Sequence, residues 1–275
     1  MKIAESHGVR IHAYADDMQT YASCSAADQH KATMSILSCV AEIDRWMMSN
    51  RLKLNADKTE FIWIGTRQQL AKIRLESLSV GGQDVVPVTK ARDLGVIIDS
   101  ELTMDAHVGN VVRSCFYQLR QLRGVRKSLT TDARRSLVTA FVSSRLDYCN
   151  GVLKGVAAGT IHRLQLVLHA AERLVVGARK YDHITPVIRD DLHWLPVPQR
   201  ISYKIALLAR DSLYGLGPAY FIGSCVPVAT NTARSTLRSA QRGDMIVPRT
   251  RTELGRRSFR VAAPTVWNSR PPYLR

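Results

Sequence analysis

Nowhere does this 275-residue chain carry an uninterrupted apolar run of about 18 residues, the length that a membrane-spanning helix needs. No membrane span is expected. Its five cysteines, Cys24, Cys39, Cys115, Cys149 and Cys225, are scattered without a C-x-x-C pair or a Cys/His set of zinc spacing. That excludes a zinc knuckle and leaves free thiols, mostly in cores. There is no glycine-rich phosphate loop and no internal repeat, which argues against a P-loop nucleotide site and against a solenoid. The first residues, Met1 to Tyr14, hold charges and a histidine where a signal peptide has an apolar block. The expectation is an intracellular protein of nucleus or cytoplasm, not a secreted one.

Hydrophobic residues make up 45% of the chain, enough for one sizeable core or two smaller ones. Acid is scarce: 23 Asp and Glu stand against 39 Lys and Arg, for a formal net charge of +16. The excess is uneven. Through Thr66 there are seven basic and eight acidic residues, so the whole surplus lies beyond that point. From Thr230 to Arg275 ten arginines face two acids. A one-sided positive field draws polyanions and speeds encounter with them, so the surplus is either a soluble basic surface or a phosphate-binding one. Arginine in such excess favours the phosphate partner, with RNA, DNA or an anionic membrane surface all compatible.

Val9 to Ala15 alternates apolar and polar side chains, and Met18 to Ala22 resumes the alternation after Asp16-Asp17. This predicts a β-hairpin with two carboxylates at its turn. Ile36, Val40, Ile43 and Met47 then follow helical spacing. Phe61 to Ile64 reads as a strand, Val80 to Val85 as a turn between strands, and Leu94 to Ile98 as a buried strand. After Thr103 the period becomes helical. Val108, Val111, Val112, Cys115, Leu119 and Leu122 share one face. Thr130-Thr131-Asp132 starts a helix continued by Leu137, Val138, Phe141 and Val142. Thr160 opens another through Leu164, Leu168 and Val175, and Pro198 sits in the first turn of one through Ile201, Ile205 and Leu208. Beyond Gly215 periodicity fades until Phe259 to Trp267, and order only on binding is expected there. The fold class is α+β: a mixed layer over residues 1–102, a helical bundle over 103–215 and a basic, arginine-rich tail over 216–275.

Adjacent aspartates at a hairpin tip repel unless a cation lies between them and a ligand, so the pair is either a plain polar turn or a divalent-metal site. Magnesium suits it, since that ion takes one or two carboxylates, keeps water and completes its shell with phosphate. Tyr14-Ala15-Asp16-Asp17 in this setting resembles the catalytic hairpin of reverse transcriptases. A helix follows, then Leu52-Lys53-Leu54-Asn55-Ala56-Asp57-Lys58-Thr59-Glu60 and Phe61-Ile62-Trp63-Ile64-Gly65, similar to the next palm motif of non-LTR (LINE-type) retrotransposon enzymes of the jockey-like branch. Leu94 to Asp99, Leu192 to Val197 and Ala262 to Ser269 are also similar to those proteins, so the likeness covers nearly the whole chain.

The resemblance implies a partial polymerase palm, a thumb-like bundle and RNA-directed DNA synthesis on an RNA template and DNA primer. Asp16 would be the principal metal ligand, Asp17 its neighbour, and magnesium, or manganese, the cofactor. Lys58 matches a palm lysine that protonates pyrophosphate; a solvated lysine is the equal alternative. Such enzymes also need an aspartate on an earlier palm strand, together with fingers, and thirteen residues before Tyr14 cannot hold them. The chain alone is therefore expected to be a truncated, inactive polymerase. Two other readings stand beside it: a non-catalytic nucleic-acid-binding protein derived from such an element, and an independent phosphotransferase using Asp16, Asp17 and an acid such as Glu60. Tyr220, Phe259 and Trp267 are candidates for base stacking, and equally for packing.

Overall fold

The computed structural model describes residues 2–74, 77–179, 182, 193–233 and 235–275. Leu192, at the head of the Leu192 to Val197 stretch, and Arg234 lie outside the described residues. The chain divides into two compact units, Met1–Thr103 and Met104–Arg275.

The first unit runs α1 (Lys2–Ser6), β1 (Arg10–Tyr14), β2 (Asp17–Tyr21), α2 (Gln29–Ser49), α3 (Arg67–Leu70), β3 (Leu78–Val80), β4 (Gln83–Val85), β5 (Lys90–Asp93) and β6 (Val96–Asp99). Consecutive strands pair as three antiparallel hairpins. The long helix α2 serves two small cores. Its Cys39 and Ile43 join Ala4 and Val9, with Ile3, Ile11, Ile36 and Met47 packed around them. Its Leu37 and Val40 lie on Leu78, Val80 and Val85, beside Leu54 and Phe61. Each large side chain so buried stabilises the unit by roughly 1.5–3 kcal/mol.

Turn chemistry sets the hairpins. Gly81 and Gly82 have φ of +58° and +82°, the paired left-handed values of a two-residue hairpin loop, which glycine adopts without a Cβ clash. Leu94 and Gly95 do the same between β5 and β6, with φ of +42° and +86°. The strand expected from Leu94 therefore begins only at Val96. Phe61 to Ile64 is not a strand either. It makes a single parallel bridge, Ile62 to Val88, through Val88 N–H to Phe61 O at 2.8 Å.

The second unit is helical: α4 (Asp105–Val125), α5 (Thr131–Val138), α6 (Ser144–Asp147), α7 (Ala158–Val176), α8 (Val197–Leu213), α9 (Arg238–Gln241), α10 (Glu253–Arg257) and α11 (Phe259–Asn268). With the first unit's hairpins this makes an α+β protein. α4 packs on α7, α7 on α5 and α8, and α8 on α11. Val108, Cys115, Leu119, Leu164, Leu168, Val175, Ile201 and Ile205 form the interior. Thr130 caps α5 by accepting from Ala133 N–H at 3.2 Å, and Pro198 lies in the first turn of α8. Thr160 does not open α7, which begins at Ala158. Its hydroxyl instead donates to Asp105 Oδ1 at 2.5 Å. Between α5 and α6 the backbone widens into one π turn, Thr139–Ser143. The extra residue rotates the face, so Val142 is fully buried while Phe141, expected inside, is 42% exposed.

The segment expected to order only on binding is folded into this unit. Val261, Ala262, Ala263, Val266 and Trp267 are buried. Asn268 Nδ2 donates to Met245 O and its Oδ1 accepts from Met245 N–H, both at 2.8 Å. Trp267 Nε1 donates to Gly243 O at 2.9 Å. The Arg275 guanidinium pairs with Asp244 and donates to Asn268 O and Arg270 O. The reason for the missed order is that these contacts join backbone and side chains across turns, which leave no period in the sequence.

Candidate functional site

Hairpin register fixes where the two aspartates stand. Tyr14 pairs with Asp17, so Ala15 and Asp16 form the two-residue loop. Ala15 takes φ +54°, the left-handed region such a loop demands, at a steric cost an alanine bears and a glycine would not. Asp16 thus sits in the turn and Asp17 opens β2. Strand alternation puts Asp17 on one face with Tyr14, His12 and Gln19, and Ile11, Ala13, Met18 and Thr20 on the other. Ile11 anchors the hairpin to the α2 core, while Tyr14 is 65% exposed. Both carboxylates are exposed and make no hydrogen bond or ion pair among the described residues.

Long-range contacts carry other acids toward this hairpin and away from it. Gln19 Nε2 donates to Asp93 Oδ1, which ties β2 to the end of β5. Glu60 Oε2 accepts from Arg92 N–H at 3.3 Å. Lys58 is exposed on the one-turn 3-10 helix Ala56–Lys58, which packs beside β4. Among the described residues no group of three or more His, Cys, Asp or Glu side chains is placed to hold a metal ion. The contact of Asp93 with the hairpin was not legible in the sequence, because Asp93 lies 74 residues from its partner Gln19.

The basic residues divide differently from their sequence density. In the C-terminal segment Arg242 and Arg275 pair with Asp244, Arg256 with Glu253, and Arg257 Nε donates to Lys154 O at 3.3 Å, while Arg238, Arg249, Arg251 and Arg260 are exposed with no partner among the described residues. Trp267 is buried, and Phe259 stacks on Phe221 at 4.8 Å, so neither offers a face to a base; Tyr220 alone of the three stands out, 62% exposed. On α4, Arg113, Phe116, Tyr117, Arg120, Arg123 and Gly124 recur at three-four spacing opposite the buried Val108, Cys115, Leu119 and Leu122. The three arginines are exposed and have no partner among the described residues. Phe116 is 37% and Tyr117 56% exposed between them. The stripe from Arg113 to Arg123 runs about 15 Å along the helix at 1.5 Å per residue. Its three-four spacing is readable in the sequence alongside that of the buried face.

One buried acid also went unseen. Glu172 on α7 is wholly enclosed, and neither carboxylate oxygen has a hydrogen-bond partner among the described residues. Burial pushes its carboxyl up to about 8, against the opposing pull of Arg200 and Arg173. No helix among the described residues is long and apolar enough to cross a membrane. Comparison with protein-family models, with curated proteins and with solved structures finds no match.

Proposed function

We propose that this chain is part of an RNA-directed DNA polymerase of the non-LTR retrotransposon type. Residues 1–102 supply a portion of the palm, and the helical unit supplies a thumb-like nucleic-acid grip. The observation that carries the reading is the tip of the first hairpin, where the Tyr14-Ala15-Asp16-Asp17 sequence presents two exposed, unpaired carboxylates. Two hard oxygen donors without protein partners suit a magnesium or manganese ion that takes the rest of its shell from water and phosphate. Such an ion supplies charge neutralisation at the reacting phosphate. Asp16 and Asp17 would hold it, and Lys58 keeps a free ammonium for an anionic leaving group. A two-metal polymerase centre needs a further carboxylate beside the pair. The chain by itself is therefore proposed to bind nucleic acid without extending a primer.

The α4 stripe supports the binding half of this reading, because unpaired arginines interleaved with aromatics serve phosphates and bases together. Fluorescence anisotropy with a labelled single-stranded RNA tests it. Arg120→Glu with Arg123→Glu should weaken binding at least about tenfold and flatten the log-log salt slope by about 1.4, two contacts at roughly 0.7 each. An unchanged affinity and slope would remove α4 from the interface. Template-dependent primer extension by the purified chain, abolished by Asp16→Asn, would overturn the incompleteness.

A further inference from the structure

We propose that the exposed face of α4 takes single-stranded nucleic acid in preference to duplex, with one base stacked on Tyr117 and the strand lying close over Gly124; this rests on the reading that α4 grips nucleic acid. Helical spacing lays the face out. Arg113, Tyr117, Arg120 and Gly124 follow one another at four, three and four residues and so lie in one line, with Phe116 and Arg123 beside it. Arg113 and Arg120 stand about 10.5 Å apart along the axis, and Arg123 about 4.5 Å further on. Asp105, the acid of this helix, is engaged in its first turn by the Thr160 hydroxyl at 2.5 Å and by Arg163 at 3.8 Å.

Gly124 has no cause inside the fold. Glycine is the poorest helix former after proline, and a helix keeps one where a positive φ or a close approach requires it. The φ of Gly124 is not left-handed, α4 runs past it to Val125, and Arg126 continues with φ −52° and ψ −38°. A Cβ at Gly124 would meet nothing within 4 Å, whereas one at Gly109 on the same helix would stand 3.2 Å from an Arg163 nitrogen. Gly109 makes room for a neighbour that is present. Gly124 leaves a flat place on the open surface, in line with two unpaired arginines.

The rings between the arginines select the form of the strand. In a duplex the bases stack on one another and offer only their edges in the grooves, so Tyr117, 56% exposed, and Phe116, 37% exposed, would find no base face to lie against. A single strand presents those faces, and the phosphates on either side of a base stacked on Tyr117 meet Arg113 and Arg120, which flank it. An acidic peptide would satisfy the guanidinium groups and leave the rings unused.

Fluorescence anisotropy on the full, nuclease-treated chain compares single strands of about 12 nucleotides, RNA and DNA, with a duplex and with an abasic strand of the same length. Either strand with bases should bind at least about tenfold more tightly than the duplex or the abasic strand, the worth of one stacked base. Tyr117→Leu should remove about that factor for the strands with bases and leave the abasic one unchanged, while Tyr117→Phe retains it. Gly124→Leu should weaken binding about tenfold by holding the strand off the helix. Gly124→Ala should weaken it while raising the urea midpoint, opposite signs that a purely structural glycine does not give. Circular dichroism confirms native helix in each variant. A duplex bound as tightly as the single strands overturns the inference. So do Tyr117→Leu and Gly124→Ala variants of unchanged affinity; if Arg120→Glu with Arg123→Glu still weakens binding, the charged grip stands without it. Polyglutamate bound as tightly as the strands would overturn both and assign the face to an acidic protein.

Discussion

Replacing Glu172 by glutamine should change how the helical unit's stability depends on pH. The side chain lies on α7 with no exposure, and the cations nearest it are engaged elsewhere. Arg200 pairs with Asp147 Oδ2 at 2.8 Å and donates to Leu195 O at 2.6 Å, while Arg173 donates to His169 O at 3.4 Å. Desolvation therefore outweighs their attraction, and the folded carboxyl titrates near 8 where a free one titrates near 4.5. Between those values the unfolded chain has lost a proton that the folded chain keeps. The group's contribution to stability is complete below the unfolded value and is lost progressively as pH rises toward about 8, a total on the order of 5 kcal/mol. Glu172→Gln abolishes the titration. Its desolvation cost does not vary with pH, so the stability gap between variant and wild type should widen by about 2–3 kcal/mol from pH 5 to pH 7. Urea unfolding followed by far-UV circular dichroism measures that gap. A gap constant across the range would show that Glu172 is not buried as an acid.

Two substitutions probe the packing that carries the surface features. Leu168→Ala, at a fully buried position of α7, should cost about 3 kcal/mol in denaturant unfolding, transfer and cavity terms together; a loss below about 1 kcal/mol would mean the bundle collapses freely around the site. Asn268→Ala leaves Met245 N–H and O without the partners they now have at 2.8 Å. It should cost about 2–3 kcal/mol and raise proteolysis of the C-terminal segment, whereas an unchanged digestion pattern would show that the clamp does not hold that segment.

What could be read from the sequence follows from how local each cause is. The first hairpin was legible because its alternation and its Asp-Asp turn lie within a dozen residues, and Gly81-Gly82 named its own turn. Helices α4, α7 and α8 declared their buried faces through repeats at three and four, and Thr130 declared a cap. The failures share a different origin. Phe61 to Ile64 has strand composition, yet a strand needs a paired neighbour, and among the described residues it forms one bridge, Ile62 to Val88. Phe141 was misplaced because a π turn adds a residue to the period that no composition signals. Asp93 reaches Gln19, and Glu172 is enclosed by helices, through contacts spanning tens of residues. Sequence spacing carries no record of these.

The distribution of arginine shows how far folding can redirect a compositional argument. Ten arginines after Thr230 imply a flexible basic tail for polyanions, but a guanidinium donates equally well to a carboxylate or a carbonyl of its own chain. Arg275 spends its donors on Asp244, Asn268 and Arg270, and Arg257 reaches Lys154. Those two cations hold the segment against the bundle, while Arg238, Arg249, Arg251 and Arg260 of the same segment are exposed and have no partner among the described residues. Arg113, Arg120 and Arg123 contribute less to the local charge density but have no partner among the described residues. Availability for a phosphate depends on that freedom more than on number, which leaves α4 together with Arg238, Arg249, Arg251 and Arg260 as the cations open to the proposed partner. It also makes charge reversal on that helix a cleaner test than removal of the C-terminal segment, whose loss would strip α11 from α8 and expose the apolar face beneath.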